Sequence, residues 1–508
     1  MNGGDAYSEL VDRFNRLGHL RGAAEMLQWD MAAMMPEGGA AARAEQLVAL
    51  EQACHDIVTA PDMCDLLQSA EPDVDQPDIT AWQNANLREM QRQWLHASAV
   101  PVDLVAALSR AASHCEMTWR EARAENDFAL LAPGLADLVS LVRRSAEASG
   151  EALGCEPYDA LLDLYEPGMS RAEIDPLFDD LEGFLGDLLP RVLDAQKNHP
   201  VMSLPGDYPE ESQRDLGKRF MSALGFDFNH GRLDVSHHPF TAGVPDDVRI
   251  TTRYSRDDFT RALMGVLHET GHALYERGLP TDWHHQPVGQ ARGMALHESQ
   301  SLLVEMQLCR GADFLSYAIP LMRESFRGAS TGSDAAWGND NLKRLYLQVE
   351  PGFIRVDADE VTYPLHVMLR YRIEQALLSG DLPVADLPTA WNEAMRDMLG
   401  LKVTQDSLGC LQDIHWPGGS FGYFPTYTLG ALAAAQIFAA AREALPDFSA
   451  SISAGEFAPL IGWLKENIHQ PGSLYSTDEL LEKATGSPLG TAAFKSHLQR
   501  RYLSDEMA

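Results

Sequence analysis

Basic residues are scarce in this chain of 508 residues: 40 lysines and arginines stand against 74 aspartates and glutamates, a formal net charge of −34. Such a surplus repels phosphate backbones and anionic lipid, so neither nucleic acid nor a membrane surface is expected as a partner. Cysteine is also sparse. Cys54, Cys64, Cys115, Cys155, Cys309 and Cys410 are scattered without a C-x-x-C pair, which excludes a disulfide framework and leaves reduced thiols as core filler. There is no low-complexity tract and no repeat at a solenoid period. Long apolar runs are scarce too: the most apolar run near the C-terminus, Leu429 to Ala441, is too short to span a bilayer and contains Gln436. Asp5 and Glu9 interrupt any early apolar segment, so the N-terminal residues do not read as a signal peptide and the expected location is cytoplasmic.

What is present is an ordinary globular composition, 45% hydrophobic and 22% charged, with ample chain to bury a core. The first 165 or so residues read as helix after helix. Leu10, Phe14 and Leu17 make one apolar stripe, and Leu47, Leu50, Cys54 and Val58 another, with Pro36-Glu37-Gly38-Gly39 between them. Ser170-Arg171-Ala172-Glu173 is a capping box, and it opens a long helix with Leu177, Leu181, Phe184, Leu188 and Val192 on one face. Between Leu233 and Tyr254 the texture changes: Val248, Ile250 and Thr252 alternate with polar neighbours after the turn Gly243-Val244-Pro245-Asp246. This predicts a small antiparallel hairpin, the one convincing β element.

Directly after it comes Leu267-His268-Glu269-Thr270-Gly271-His272-Ala273-Leu274. On a helix, histidines four residues apart project about 40° apart from one face, close enough to share a metal ion. Glu269 then stands beside them, placed to act on an activated water. This is the H-E-x-x-H pattern of zinc hydrolases, and the stripe Leu263, Leu267 and Leu274 supports the helix it requires. The plainer alternative is an amphipathic helix with its polar face in water. A catalytic zinc needs a third protein ligand and an open position. Glu298, 26 residues after His272 on a second helical stretch, completes a His₂Glu set. His297 is the competing ligand, about 100° away around that helix, so only one of the two can face the metal.

Further motifs follow in order: His238-Pro239-Phe240, Asp247-Val248-Arg249-Ile250-Thr251, His297-Glu298-Ser299-Gln300, Ile354-Arg355-Val356-Asp357-Ala358-Asp359 and Gly409-Cys410-Leu411-Gln412-Asp413-Ile414-His415-Trp416. With the zinc motif, and with Gln28-Trp29-Asp30 and Met35-Pro36 near the start, they resemble the carboxypeptidase Taq family of metallopeptidases over nearly the whole chain. The resemblance implies a mainly α fold, large and helical, with a deep groove, similar in outline to neurolysin and angiotensin-converting enzyme. A small hairpin or sheet would lie beside the zinc helix. It also implies one zinc ion per chain, with cobalt or manganese as possible substitutes, peptide substrates with a free C-terminus, and a homodimer. One departure stands out. The fourth residue after Glu298 is Leu302, so the Glu-x-x-x-Asp pattern whose Asp buttresses a ligand histidine in related zinc peptidases is absent. Some other carboxylate must orient His268 and His272.

The roles assigned are these. His268, His272 and Glu298 bind the metal, and Glu269 is the general base. Resemblance and residue type point to His415 and Tyr423 as oxyanion donors, with Tyr427 as the alternative to Tyr423. An exopeptidase must grip a carboxylate, and Arg355 is the first choice and Arg249 the second. For either arginine the plainer reading is a salt bridge, with Asp357, Asp359 or Asp247 as ready partners. His238 is expected in the same pocket. The chain is taken as one domain, with a helical lobe to about 165, a metal-bearing lobe to about 430 and C-terminal helices for packing or subunit contact. Two competing readings are a neurolysin-type oligoendopeptidase and an inactive helical binding protein.

Overall fold

The stretches with apolar residues at helical spacing fold as helices in the computed structural model, which describes residues 3–71, 80–329 and 332–503. Helix Gly3–Ala33 buries Leu10, Phe14 and Leu17, and the Pro-Gly break becomes a short turn before helix Ala40–Val58. That second stripe is weaker than its pattern suggests: Val58 is buried, but Leu47, Leu50 and Cys54 are only half-buried. Ser170 and Glu173 form the expected capping box. Helix Arg171–Gln196 then buries Leu181, Leu188 and Val192, with Leu177 and Phe184 packed against the same core.

The strands form one three-stranded sheet: β1 (Gly231–Val235), β2 (Phe240–Val244) and β3 (Asp247–Thr252). β2 and β3 are the expected hairpin, antiparallel from Phe240 opposite Thr251 to Val244 opposite Asp247. β1 lies parallel to β3 on its other side, with Gly231 opposite Val248. No local pattern anticipates β1, because a parallel neighbour is not joined by a hairpin turn. Val248 and Ile250 of β3 are buried against Val266 and Ala273, which seats the sheet on helix Phe259–Gly278.

That helix carries the H-E-x-x-H motif. Asp258 caps its first turn, accepting from the Thr260 amide at 2.8 Å, and it ends ahead of Pro280. Leu263, Leu267 and Leu274 bury as the pattern predicts, in one core with Phe314, Ile319 and Leu464. Helix Met294–Leu302 packs across it and continues into a wider, π-type turn, Leu303–Cys309. The two helices touch at Gly271. A Cβ there would lie 2.4 Å from the Gln300 carbonyl oxygen and 2.6 Å from Ser301 Cα. On the opposite side, helix Pro425–Ala444 presents Gly430, where a Cβ would lie 2.9 Å from Glu298 Cβ. This alanine-rich helix begins at Pro425 and packs against helix Met294–Leu302 through Glu298 and Ala295.

Two consequences can be measured. Gly271→Ala forces two backbones apart, and overpacking of this kind costs about 1–3 kcal/mol. We expect a lowered thermal midpoint and weakened metal affinity. Gly183→Ala, with nothing within 4 Å of its added methyl, serves as the control and should not destabilise. Secondly, burial, aided by Lys465, pulls His469 down to about 3. An exposed histidine in the unfolded chain titrates near 6.5, so between these values the unfolded state binds more protons and stability falls as pH drops. The advantage of wild type over His469→Gln in thermal midpoint should therefore shrink from pH 7 to pH 4. A constant difference would refute it.

Candidate metal centre

Helical spacing turns His268 and His272 to one side, and the contact at Gly271 carries Glu298 over them. One ligand atom from each lies within 4.8 Å of the others. His268 Nε2 is 3.9 Å from Glu298 Oε1, and His272 Nε2 is 3.5 Å from Glu298 Oε2. A tetrahedral cation with bonds of ~2.0–2.2 Å holds neighbouring donors ~3.3–3.6 Å apart, so the three groups fit a divalent metal with little adjustment. His297 turns elsewhere, donating from Nε2 to Glu276 Oε1 at 2.8 Å while its ring stacks on His272. Burial opposes charge on Glu298, but the imidazoles of His268, His272 and His297 outweigh it and hold the carboxyl down at about 2.

The carboxylate that orients His268 is Glu305, seven residues after Glu298 in the wide turn. Its Oε2 accepts from His268 Nδ1 at 3.0 Å, which leaves Nε2 to face the site, and its Oε1 accepts from Arg310 Nη2 at 2.6 Å. Glu305 stands outside the i+4 position at which a regular helix would place such an acid. Gly293 offers no capping side chain to helix Met294–Leu302. The buried Glu166 carboxylate takes that place, accepting from the Ala295 amide, while the Tyr165 carbonyl accepts from Met294 at 2.8 Å.

Glu269 is buried beside the histidines, and its Oε2 accepts from the Thr241 hydroxyl at 2.8 Å. Thr241 lies on β2, directly after the His-Pro-Phe motif, and that adjacency was the only signal for it. His238 itself is exposed. Its carbonyl, not its ring, is engaged, accepting from Thr251 Oγ1 at 3.3 Å and from Ser236.

The two candidate arginines have different surroundings. Arg249 on β3 is held by Asp247 through two hydrogen bonds, 3.0 and 2.6 Å, and stacks over Trp29 at 4.3 Å. Arg355 is buried, and its partner is none of the nearby acids. Asp357 pairs with Arg261, and Asp359 accepts from the backbone amides of Glu350, Val361 and Thr362. Asp413, from the later motif, receives Arg355 Nε at 3.1 Å and Nη2 at 2.9 Å, while Nη1 donates to the Tyr363 hydroxyl at 2.7 Å. The same carboxylate also receives Arg370 Nε at 2.6 Å. Gln412 adds a backbone tie, accepting from the Arg355 amide at 2.9 Å, and Trp416 donates to Glu374 at 2.8 Å. The 409–416 motif is thus the cradle of Arg355.

His415 and the tyrosines line the same cluster. His415 Nε2 lies 3.3 Å from the Tyr427 hydroxyl, and its ring packs 4.4 Å from Phe424 and 5.6 Å from Tyr423. Burial, with Arg355 and Arg370 adding to it and Asp413 opposing, pushes His415 down to about 4, so the imidazole is neutral near pH 7. Burial and the charge of Glu298 push Tyr423 up to about 12, and burial also raises Tyr427. Arg355 lies 4.9 Å from the Tyr427 ring. The structure therefore brings Arg355, His415, Tyr423 and Tyr427 into one group, of which Tyr423 and Tyr427 feel the charge of Glu298, with Arg249 on β3 and His238 in the bend between β1 and β2.

Known proteins agree in sequence and in shape. The model of the carboxypeptidase Taq (M32) metallopeptidases matches residues 9–502. Thermostable carboxypeptidase 1 of Thermus thermophilus is 38% identical over 98% of both chains, and carboxypeptidase 1 of Bacillus subtilis is 34% identical over 97% of both. Among solved structures, Trypanosoma cruzi metallocarboxypeptidase 1 superposes with a TM-score of 0.95 at 40% identity, covering 98% of this chain and 100% of that one. The M32 carboxypeptidase of Deinococcus radiodurans superposes at 0.92 with 32% identity, covering 99% of each. A match of this extent, around a His-His-Glu cluster suited to a metal, makes the chain a member of the carboxypeptidase Taq (M32) family of metallopeptidases.

Proposed function

We propose that this protein is a zinc carboxypeptidase that releases single residues from the C-termini of peptides. His268, His272 and Glu298 hold the zinc, and cobalt or manganese suits the same donors. When bound, the zinc supplies Lewis acidity toward water and the scissile carbonyl. Glu269 takes the proton of the attacking water and returns it to the leaving amine. The Thr241 hydroxyl holds that carboxylate in one orientation. Neutral His415 and protonated Tyr423 donate hydrogen bonds to the developing oxyanion, with Tyr427 as the alternative to Tyr423.

The observation that carries the exopeptidase reading is the charge around Arg355. Two buried guanidiniums, Arg355 and Arg370, share the one carboxylate of Asp413, and His415 beside them is neutral. A buried excess of positive charge is unfavourable until an anion matches it. Of the five guanidinium hydrogens of Arg355, three are used, and two remain for a substrate carboxylate. Arg249, already neutralised by Asp247, is the lesser choice, and His238 lines the approach from the sheet. We read the three segments, to about 165, to about 430 and to the C-terminus, as one catalytic domain working as a cytoplasmic homodimer.

The test is trimming of an unblocked peptide beside its C-terminal amide, read by mass spectrometry on zinc-loaded protein. Stepwise loss from the free acid alone is expected. Glu269→Gln should lower the rate by about 10²–10⁴-fold, and Arg355→Lys should act mainly by raising KM. Internal cleavage of both peptides would instead support an oligoendopeptidase, and silence with metal bound a binding protein. A second measurement addresses Glu305. Replacing it with Gln should weaken zinc binding by about 10–100-fold in competition with a chelator, and an unchanged affinity would deny it an orienting role.

A further inference from the structure

Behind the metal centre lies a cavity of about 480 Å³ whose charge is opposite to that of the chain. Six lysine or arginine side chains line it against two carboxylates, Asp313 and Asp340, where the chain as a whole carries 40 basic residues against 74 acidic ones. Its wall includes Gln307 and Leu308, from the same wide turn that points Glu305 at His268. The cavity is thus separate from the face that holds the candidate ligands.

The cations are not all accounted for by partners. Arg501 is paired with Glu360 at 3.0 Å, and Arg310 with Glu305. Lys343, Arg344 and Arg442 make no ion pair among the described residues. The Nε atoms of Arg310 and Arg344 are buried without a hydrogen-bond partner, an arrangement that costs free energy until an acceptor arrives. Beside these donors the wall is apolar: Phe438 and Phe448 meet edge to face with centroids 5.4 Å apart. A volume in the range of small-molecule pockets, with convergent guanidiniums at one side and aromatic surface at another, suits a ligand with an anionic head and a flat or apolar body.

We propose that this cavity binds a small phosphorylated organic anion. Arginine and lysine meet the phosphate oxygens through charge-assisted hydrogen bonds, and Phe438 and Phe448 cover the body. Arg310 borders both the cavity and Glu305, so the site is built onto the support of the metal centre.

The experiment is isothermal titration of zinc-loaded protein at fixed ionic strength with inorganic phosphate, adenosine monophosphate and adenosine. Saturable binding of the monophosphate is expected, at least tenfold tighter than that of inorganic phosphate, with none for adenosine. Arg344→Gln and Arg442→Gln, which break no ion pair and lie outside the catalytic group, should each weaken it at least fivefold and leave peptidase turnover intact. Lys402→Gln, on the surface elsewhere, should change nothing. No saturable binding of either phosphate compound would overturn the proposal, as would binding indifferent to Arg344 and Arg442. Equal affinity for inorganic phosphate and the monophosphate would refute the organic part of the assignment.

Discussion

Two helices can bring their donors to one point only if their backbones nearly touch, and the contact at Gly271 is what permits this. The residue stands between Thr270 and His272, in a turn where a Cβ would collide with the Gln300 carbonyl. Gly430 performs the same service on the far side of Glu298. Side chains as short as these carboxylates and imidazoles reach only a few ångströms, so helix separation sets whether a cation can be gripped. Close-packed interiors resist even one added methylene, and the metal geometry is therefore written into the packing.

Around that contact the molecule arranges buried charge in chains. Glu298 is held ionised by imidazoles, Glu305 orients His268 by accepting from its Nδ1, and Arg310 in turn holds Glu305. A second chain runs from Gln412 and Asp413 to Arg355 and Arg370. Each member removed would strand a partner in a low-dielectric interior, a larger penalty than the bond itself is worth. The second chain differs in its sum from the isolated Arg249–Asp247 pair on the sheet: that pair cancels, whereas Asp413 serves two guanidiniums and leaves positive charge to be matched.

The local part of this was legible in the sequence. The Ser170–Glu173 box, the Leu263–Leu267–Leu274 stripe and the β2–β3 hairpin depend on residues a few positions apart, and all three fold as their patterns imply. The Leu47–Leu50 stripe was less informative, because period alone does not say whether a neighbour will cover the face. β1 was invisible, since its partner is chosen by parallel pairing across an intervening strand. The missing Asp after Glu298 was visible as an absence, but its replacement was not. Glu305 enters through a wide turn whose register no helical template anticipates.

Sequence alone determined the chemical inventory: two histidines on one helical face, a glutamate between them, a carboxylate and a histidine competing on the next helix, and an arginine within reach of several acids. Helical geometry fixes such relations because they act over one or two turns. Only the tertiary structure decided which of the competitors meet. Glu298 faces the histidines because Gly271 and Gly430 set its helix, while His297 falls to Glu276. Arg355 passes over Asp357 and Asp359 for Asp413, 58 residues away, because those nearer acids already serve Arg261 and backbone amides. Pairings at such separation depend on the packed core that closes the loop between them, and that core is a property of the whole chain.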